Sequence, residues 1–246
     1  MSWKRKYLPL LFLSPLFGAT PQQIESYLSL SPTQEELIEI ERSFRTLQEN
    51  LQQQNPSLEH QTYDMQLLTL RFKEAMEKAL SQEEMAEVLE NYHHILYLRF
   101  IALQQTSQYP QESTLAYEKA LEDEPQRKAL LEKIHQILYA KAYLSTLFDG
   151  MMKPLLGINQ QSTPQEQEDF TKMREAFIET KQKEHQKETF FMLQEFTLEE
   201  LEALLLFLQK PSVQKENRAV ASSLSFAMEA FFQTLSLRYR KSAHKH

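Results

Sequence analysis

Metal binding and acid–base catalysis both need histidines or carboxylates aimed at one point, and this chain has seven histidines and 34 acidic residues. The histidines are His60, His93, His94, His135, His185, His244 and His246. Adjacent His93 and His94 would point about 100° apart on a helix, which is poor geometry for one metal ion. Glu90 and His94 are four residues apart and share a helix face, where they offer two ligands or simply two polar surface groups. His244 and His246 sit on a terminal tail, where chain ends fray. The acidic pairs Glu83-Glu84 and Glu199-Glu200 are neighbours in sequence and so lie on different helix faces. General acid–base work needs two groups aimed across one cleft, one of them with a shifted pKa.

Other chemistries lack their residues. There is no His-Glu-x-x-His, no Gly-x-Ser-x-Gly and no calcium-binding EF-hand loop. The chain has three glycines, Gly18, Gly150 and Gly157, and no cysteine. Dinucleotide and P-loop sites need clustered glycines, and disulfides or thiolate metal sites need cysteine. The expectation is a non-enzymatic protein with no catalytic, metal or cofactor-binding residues.

The elements are written more clearly than any site. Leu80-Ser81-Gln82-Glu83-Glu84-Met85 and Phe196-Thr197-Leu198-Glu199-Glu200-Leu201 are two copies of one helix start. In each, a hydroxyl residue caps the helix and a glutamate three residues on reaches back to it, ahead of an apolar face. Ser31-Pro32-Thr33-Gln34 and Thr163-Pro164-Gln165-Glu166 read as further helix starts. Apolar residues recur every three or four positions, as in Leu37, Ile40, Phe44, Leu47 and Leu51. The helix from Met85 is expected to run through Tyr92 to Tyr109-Pro110, and the one from Pro125 to be closed by Asp149-Gly150. Residues 179–188 carry almost no apolar side chain, which predicts a helical stretch projecting into solvent. The final helix holds Val220, Leu224, Ala227, Met228, Phe231, Phe232 and Leu235. No segment alternates as a strand. The fold class is therefore all-α, a multi-helix bundle. The repeated start raises the expectation of two related halves, residues 20–150 and 163–240, separated by the Pro- and Gly-containing segment 151–162.

The N-terminus speaks to location. Lys4-Arg5-Lys6 precedes the apolar run 7–17 and then Gly18-Ala19-Thr20, the layout of a signal peptide over residues 1–19. The run is short for a membrane span and holds two prolines. Removing residues 1–19 takes away those three cations, moving the net charge from −7 to −10. So acidic a chain is a poor partner for nucleic acid. Membrane contact is expected only through an uncleaved N-terminus or the basic tail containing Arg238, Arg240, Lys241 and Lys245.

Phe196, Thr197, Glu199, Glu200, Leu201, Leu204, Phe207, Pro211 and Lys215 together resemble the signature F-T-x-E-E-L-x-x-L-x-x-F-Y-x-S-P-x-G-x-K. That signature belongs to a bacterial exported family, the domain-of-unknown-function family twenty fifty-nine. Leu208, Lys210 and Val213 depart from its tyrosine, serine and glycine. The resemblance covers the last third of the chain and implies a helical periplasmic protein, with no catalytic residues to carry over. The motif also has a plain physical reading: Thr197 caps, the glutamates complement the positive helix start, and Pro211 stops the helix and re-aims the chain. Tyr117–Pro125 is similar to the end of a tetratricopeptide unit, but no thirty-four-residue period accompanies it.

The functional expectation is an exported periplasmic or secreted helical module. It would bind a protein, peptide or lipid partner in an apolar groove between helices. Its competitors are a secreted factor acting on a host or neighbouring cell, and an enzyme with an unfamiliar acidic site.

Overall fold

The computed structural model describes residues 18–54, 63–104 and 110–243. The apolar run at 7–17, His60, His244 and His246 lie outside the described residues, as do the side chains of the basic tail. The chain forms helices α1 (Pro21–Leu30), α2 (Thr33–Gln54), α3 (Gln66–Ala79), α4 (Gln82–Asn91), α5 (Ile95–Gln104) and α6 (Gln111–Ala120). After a 3-10 turn at Leu121–Asp123 come α7 (Pro125–Leu138), α8 (Lys141–Leu156), α9 (Pro164–Met192), α10 (Leu198–Leu208) and α11 (Pro211–Ala243). Among the described residues the extended pairing is confined to an isolated antiparallel bridge between Gly18 and Ser81. The protein is all-α.

Capping boxes start four of these helices. Thr20 with Gln23, Ser81 with Glu84, Thr163 with Glu166 and Thr197 with Glu200 each exchange two hydrogen bonds across the helix start. Each box satisfies backbone N–H groups that the helix itself cannot, and is worth about 1 kcal/mol per cap. The box expected from Ser31 and Gln34 does not form. The helix begins two residues beyond Ser31, and Thr33 instead hydrogen-bonds the Tyr27 hydroxyl at 3.0 Å.

Two expected long helices are broken without glycine or proline. The first stops at Asn91, turns through Tyr92–His94 and restarts at Ile95. The turn buries Tyr92 and re-aims α5, so that Tyr97, Phe100 and Ile101 are buried while Ile95 is left 84% exposed. The second stops at Leu138 and restarts at Lys141. The Tyr139 carbonyl, freed from its helix, accepts a bond from the Gln182 side-chain amide at 2.9 Å. Tertiary hydrogen bonding thus replaces the helical bond at this carbonyl.

Helix α11 organises the bundle by packing along α8 and α3. Gly150 makes the first contact possible, because a β-carbon there would stand 2.2 Å from Ser225 Oγ. It lies inside α8 and does not close a helix as expected. That role falls to Gly157, the left-handed cap at φ 73°. The loop between the expected halves therefore shrinks to Gly157–Thr163, and the apolar core takes residues from both sides of it. Helix α9 also differs from its reading. Its polar stretch is docked on α7 and the following turn: the Gln182 carbonyl meets His135 Nε2 at 2.9 Å, and His185 stacks on Tyr139 at 4.9 Å. Lys187 pairs with Glu118 at 2.9 Å. Polar side chains carry this contact, which apolar periodicity does not register.

Gly18 and Ala19 are part of the fold. Ala19 is buried, and its N–H donates to the Leu80 carbonyl at 2.8 Å. A cut after Ala19 would remove both residues from the α3–α4 junction. No helix among the described residues is long and apolar enough to cross a membrane.

Candidate functional site

The family-like motif assembles as packing. Phe196, Leu201, Leu204 and Phe207 are buried. The Arg99 guanidinium lies 4.3 Å over the Phe196 ring and also pairs with Glu200 at 2.7 Å. Phe207 is held between Tyr97 at 4.7 Å and His94 at 4.8 Å, with the Lys210 ammonium 4.1 Å from its ring. Pro211 opens α11. Lys215 pairs with Glu84 at 2.8 Å, so the second motif is clamped onto the capping box of the first. Ser212 accepts from the Asn91 amide at 3.0 Å in the same contact. Glu199 stays outside, and hydrogen bonds from the helix-start backbone and Thr197 hold its carboxyl below the usual range. Helix α4 ends before His94, so the expected Glu90–His94 face is not built. No group of three or more histidines and carboxylates converges among the described residues.

The motif's clamp borders a feature that the sequence does not announce. A cavity of about 690 Å³ lies among α1, α2, α5, α8 and the first turns of α11. Five tyrosines line it: Tyr27 from α1, Tyr92 from the α4–α5 turn, Tyr97 from α5, Tyr139 from the α7–α8 junction and Tyr143 from α8. Its size suits a small molecule, since ligand sites usually span about 300–1,000 Å³. Tyrosine combines an aromatic wall with a hydroxyl that needs a partner when buried. Here Tyr27 finds Thr33, and Tyr92 finds Glu216.

Glu216 is the unusual residue. It lies on the cavity side of α11 at 3% exposure, and the Tyr92 hydroxyl donates to its Oε1 at 2.5 Å. Its Oε2 has no protein hydrogen-bond partner. A buried carboxylate with one oxygen unpaired resists ionisation, because the charged form has lost its water. Burial accordingly pushes Glu216 up to about 7, against the opposing pull of the Tyr92 hydrogen bond and the nearby Tyr27 hydroxyl. Burial, with the Glu216 charge added, also raises Tyr27, Tyr92 and Tyr97 far above the phenol range.

Glu36 is the second acid. It lines the cavity with its side chain exposed, and loss of hydration against the surrounding protein comes first in raising its carboxyl to about 7. The charges of Glu39 and Glu35 push in the same direction. Tyr139 is raised to about 12, chiefly by burial and then by Glu188 and Glu36. Arg218 stands exposed on the cavity's α11 wall. The arrangement is an aromatic chamber with one sealed acid, one open acid and a cation at its edge, able to hold an amphipathic molecule and to change charge near neutral pH.

Neither Glu36 nor Glu216 was marked by sequence pattern. Each sits among polar neighbours on a helix start and reads as surface. Tyr92 and Glu216 are 124 residues apart, and only the fold joins them. Comparison with known proteins returns no matching family model, no matching curated protein and no matching solved structure.

Proposed function

We propose that this chain is an exported helical binding module whose ligand occupies the tyrosine-lined cavity. The observation that carries the reading is Glu216, an acid sealed on a cavity wall with one oxygen unpaired. A protein interior satisfies its polar groups, and an acid left unpaired on a cavity wall is one that a bound molecule could satisfy. The cavity gives such a ligand an enclosed space between helices. The resemblance to the exported family supports the periplasmic or secreted setting, as does the basic-then-apolar N-terminus. Cleavage ahead of Gly18 keeps the Gly18–Ser81 and Ala19–Leu80 contacts.

Binding is tested with N-phenyl-1-naphthylamine, an uncharged dye that brightens in apolar sites. The wild-type protein should bind one dye saturably. Ala142 lies on the cavity wall with an exposed side chain, so Ala142→Trp blocks the chamber without disturbing the core. That variant should fold and lose the dye. Equal binding by both proteins would place the dye elsewhere and end the proposal. Export is tested by deleting residues 1–17. The truncated chain should stay in the cytoplasm, and its continued export would refute the signal-peptide reading.

A further inference from the structure

We infer that the cavity's ligand is an organic amine, a cationic head on an apolar body. The inference rests on the cavity being a binding site, and it adds the charge of what binds there. Glu36 is the exposed acid of the cavity lining, and it shares the start of α2 with Glu35 and Glu39. Glu216 lines the same chamber at 3% exposure, its Oε2 without a protein partner among the tyrosine rings. An ammonium group satisfies that pattern twice over. It supplies the charge that lets a desolvated carboxylate ionise, and it is attracted to aromatic faces. The apolar body of the amine would lie against Phe100, Ile101 and Ile137.

The charged groups around the two acids set the expected pH response. Glu36 faces Tyr139 and Tyr143 across the cavity, with Glu35 and Glu39 on its own helix and Arg218 on the α11 wall. Glu216 faces Tyr27, Tyr92 and Tyr97. Arg218 is the one cation lining this cavity among the described residues, and it is exposed to solvent. Both carboxyls sit near 7, so each is largely protonated at pH 6 and largely ionised at pH 8. A cation binds the ionised form. Its affinity must rise with pH, by up to about tenfold for each carboxyl whose proton is lost. An anion held by Arg218 would show the opposite slope, because it prefers the acids neutral.

The test uses the full protein loaded with N-phenyl-1-naphthylamine and three displacing probes of equal chain length: octylamine, octanol and octanoate. Octylamine should displace the dye at the lowest concentration, at least tenfold more effectively at pH 8 than at pH 6. Glu36→Gln and Glu216→Gln should each weaken octylamine about tenfold at pH 8 and flatten its pH response, while octanol displacement stays unchanged. Octanol displacement also shows that either variant is still folded around its cavity. If octanoate is the best displacer, or if octylamine does no better than octanol, the amine inference fails while the cavity reading stands. If the wild-type protein binds no dye, the cavity reading fails and takes the amine inference with it.

Discussion

Helix α11 meets two very different surroundings along its length. Around Glu216 it borders a chamber walled by tyrosines. Fifteen residues on, about 22 Å along the axis, Phe231 is packed without space. Its ring stacks on Phe44 at 4.0 Å and meets Phe232 at 5.3 Å and Tyr63 at 5.4 Å edge-on. Both regions are aromatic and both are buried. They differ in what most of the rings carry, phenylalanines with Tyr63 in one and five tyrosines in the other. Phenylalanine gains everything from close contact, so a phenylalanine cluster closes on itself. Tyrosine hydroxyls need partners, and the first part of α11 supplies one in Glu216 at the cost of an acid held out of water. The C-terminal region is built for stability, and the N-terminal region gives some stability up.

The largest expected effect falls on the closed region. Phe231→Ala leaves a cavity among stacked rings and should destabilise by about 3–5 kcal/mol, measured by urea unfolding. Phe207→Ala, between Tyr97 and His94, should cost a similar amount. A loss below 1 kcal/mol at Phe231 would mean that the two regions are not different in kind.

Next comes the acid of the open region. Glu216 is raised in the folded protein from an ordinary value of 4.5 to about 7. Between those values the folded state holds a proton that the unfolded state has released, so folding stability falls as pH rises from 4.5 to 7. Glu216→Gln removes the ionisable group. The variant should match the wild type near pH 4.5 and exceed it at pH 8, by about 3 kcal/mol. A variant less stable than the wild type at pH 8 would show that the ionised carboxylate is well solvated or paired. The smallest effects lie outside both regions and calibrate the scale. Thr197→Ala should cost about 1 kcal/mol as a lost cap. Glu199→Gln should leave the melting temperature unchanged, and a large shift there would return the motif to consideration as a site.

These two regions were not equally legible. Phe231, Phe232, Leu224 and Leu235 follow the period of a helix face, and they are buried where that period puts them. The four capping boxes rest on residues three apart, so the chain states them locally, and two of them coincide with the repeated motif. The cavity is non-local. Tyr27, Tyr92, Tyr97, Tyr139 and Glu216 come from separate elements, and no spacing relates them. The helix breaks at Tyr92 and Tyr139 that bring them together contain no glycine or proline. They are held by Glu216 and Gln182, polar residues on distant helices. A sequence reading that treats polar side chains as surface therefore extends both helices and misses the chamber. The same habit made α9 look solvated.

The central claim is that α11 borders a ligand chamber at Glu216 and a closed core at Phe231. Dye titration of three proteins tests it most directly: the wild type, Ala142→Trp and Phe231→Leu. The account predicts one saturable site in the wild type, no binding in Ala142→Trp despite unchanged folding, and wild-type affinity in Phe231→Leu despite lower stability. Binding that survives Ala142→Trp and disappears in Phe231→Leu would contradict it, because the ligand site would then lie in the region described here as closed.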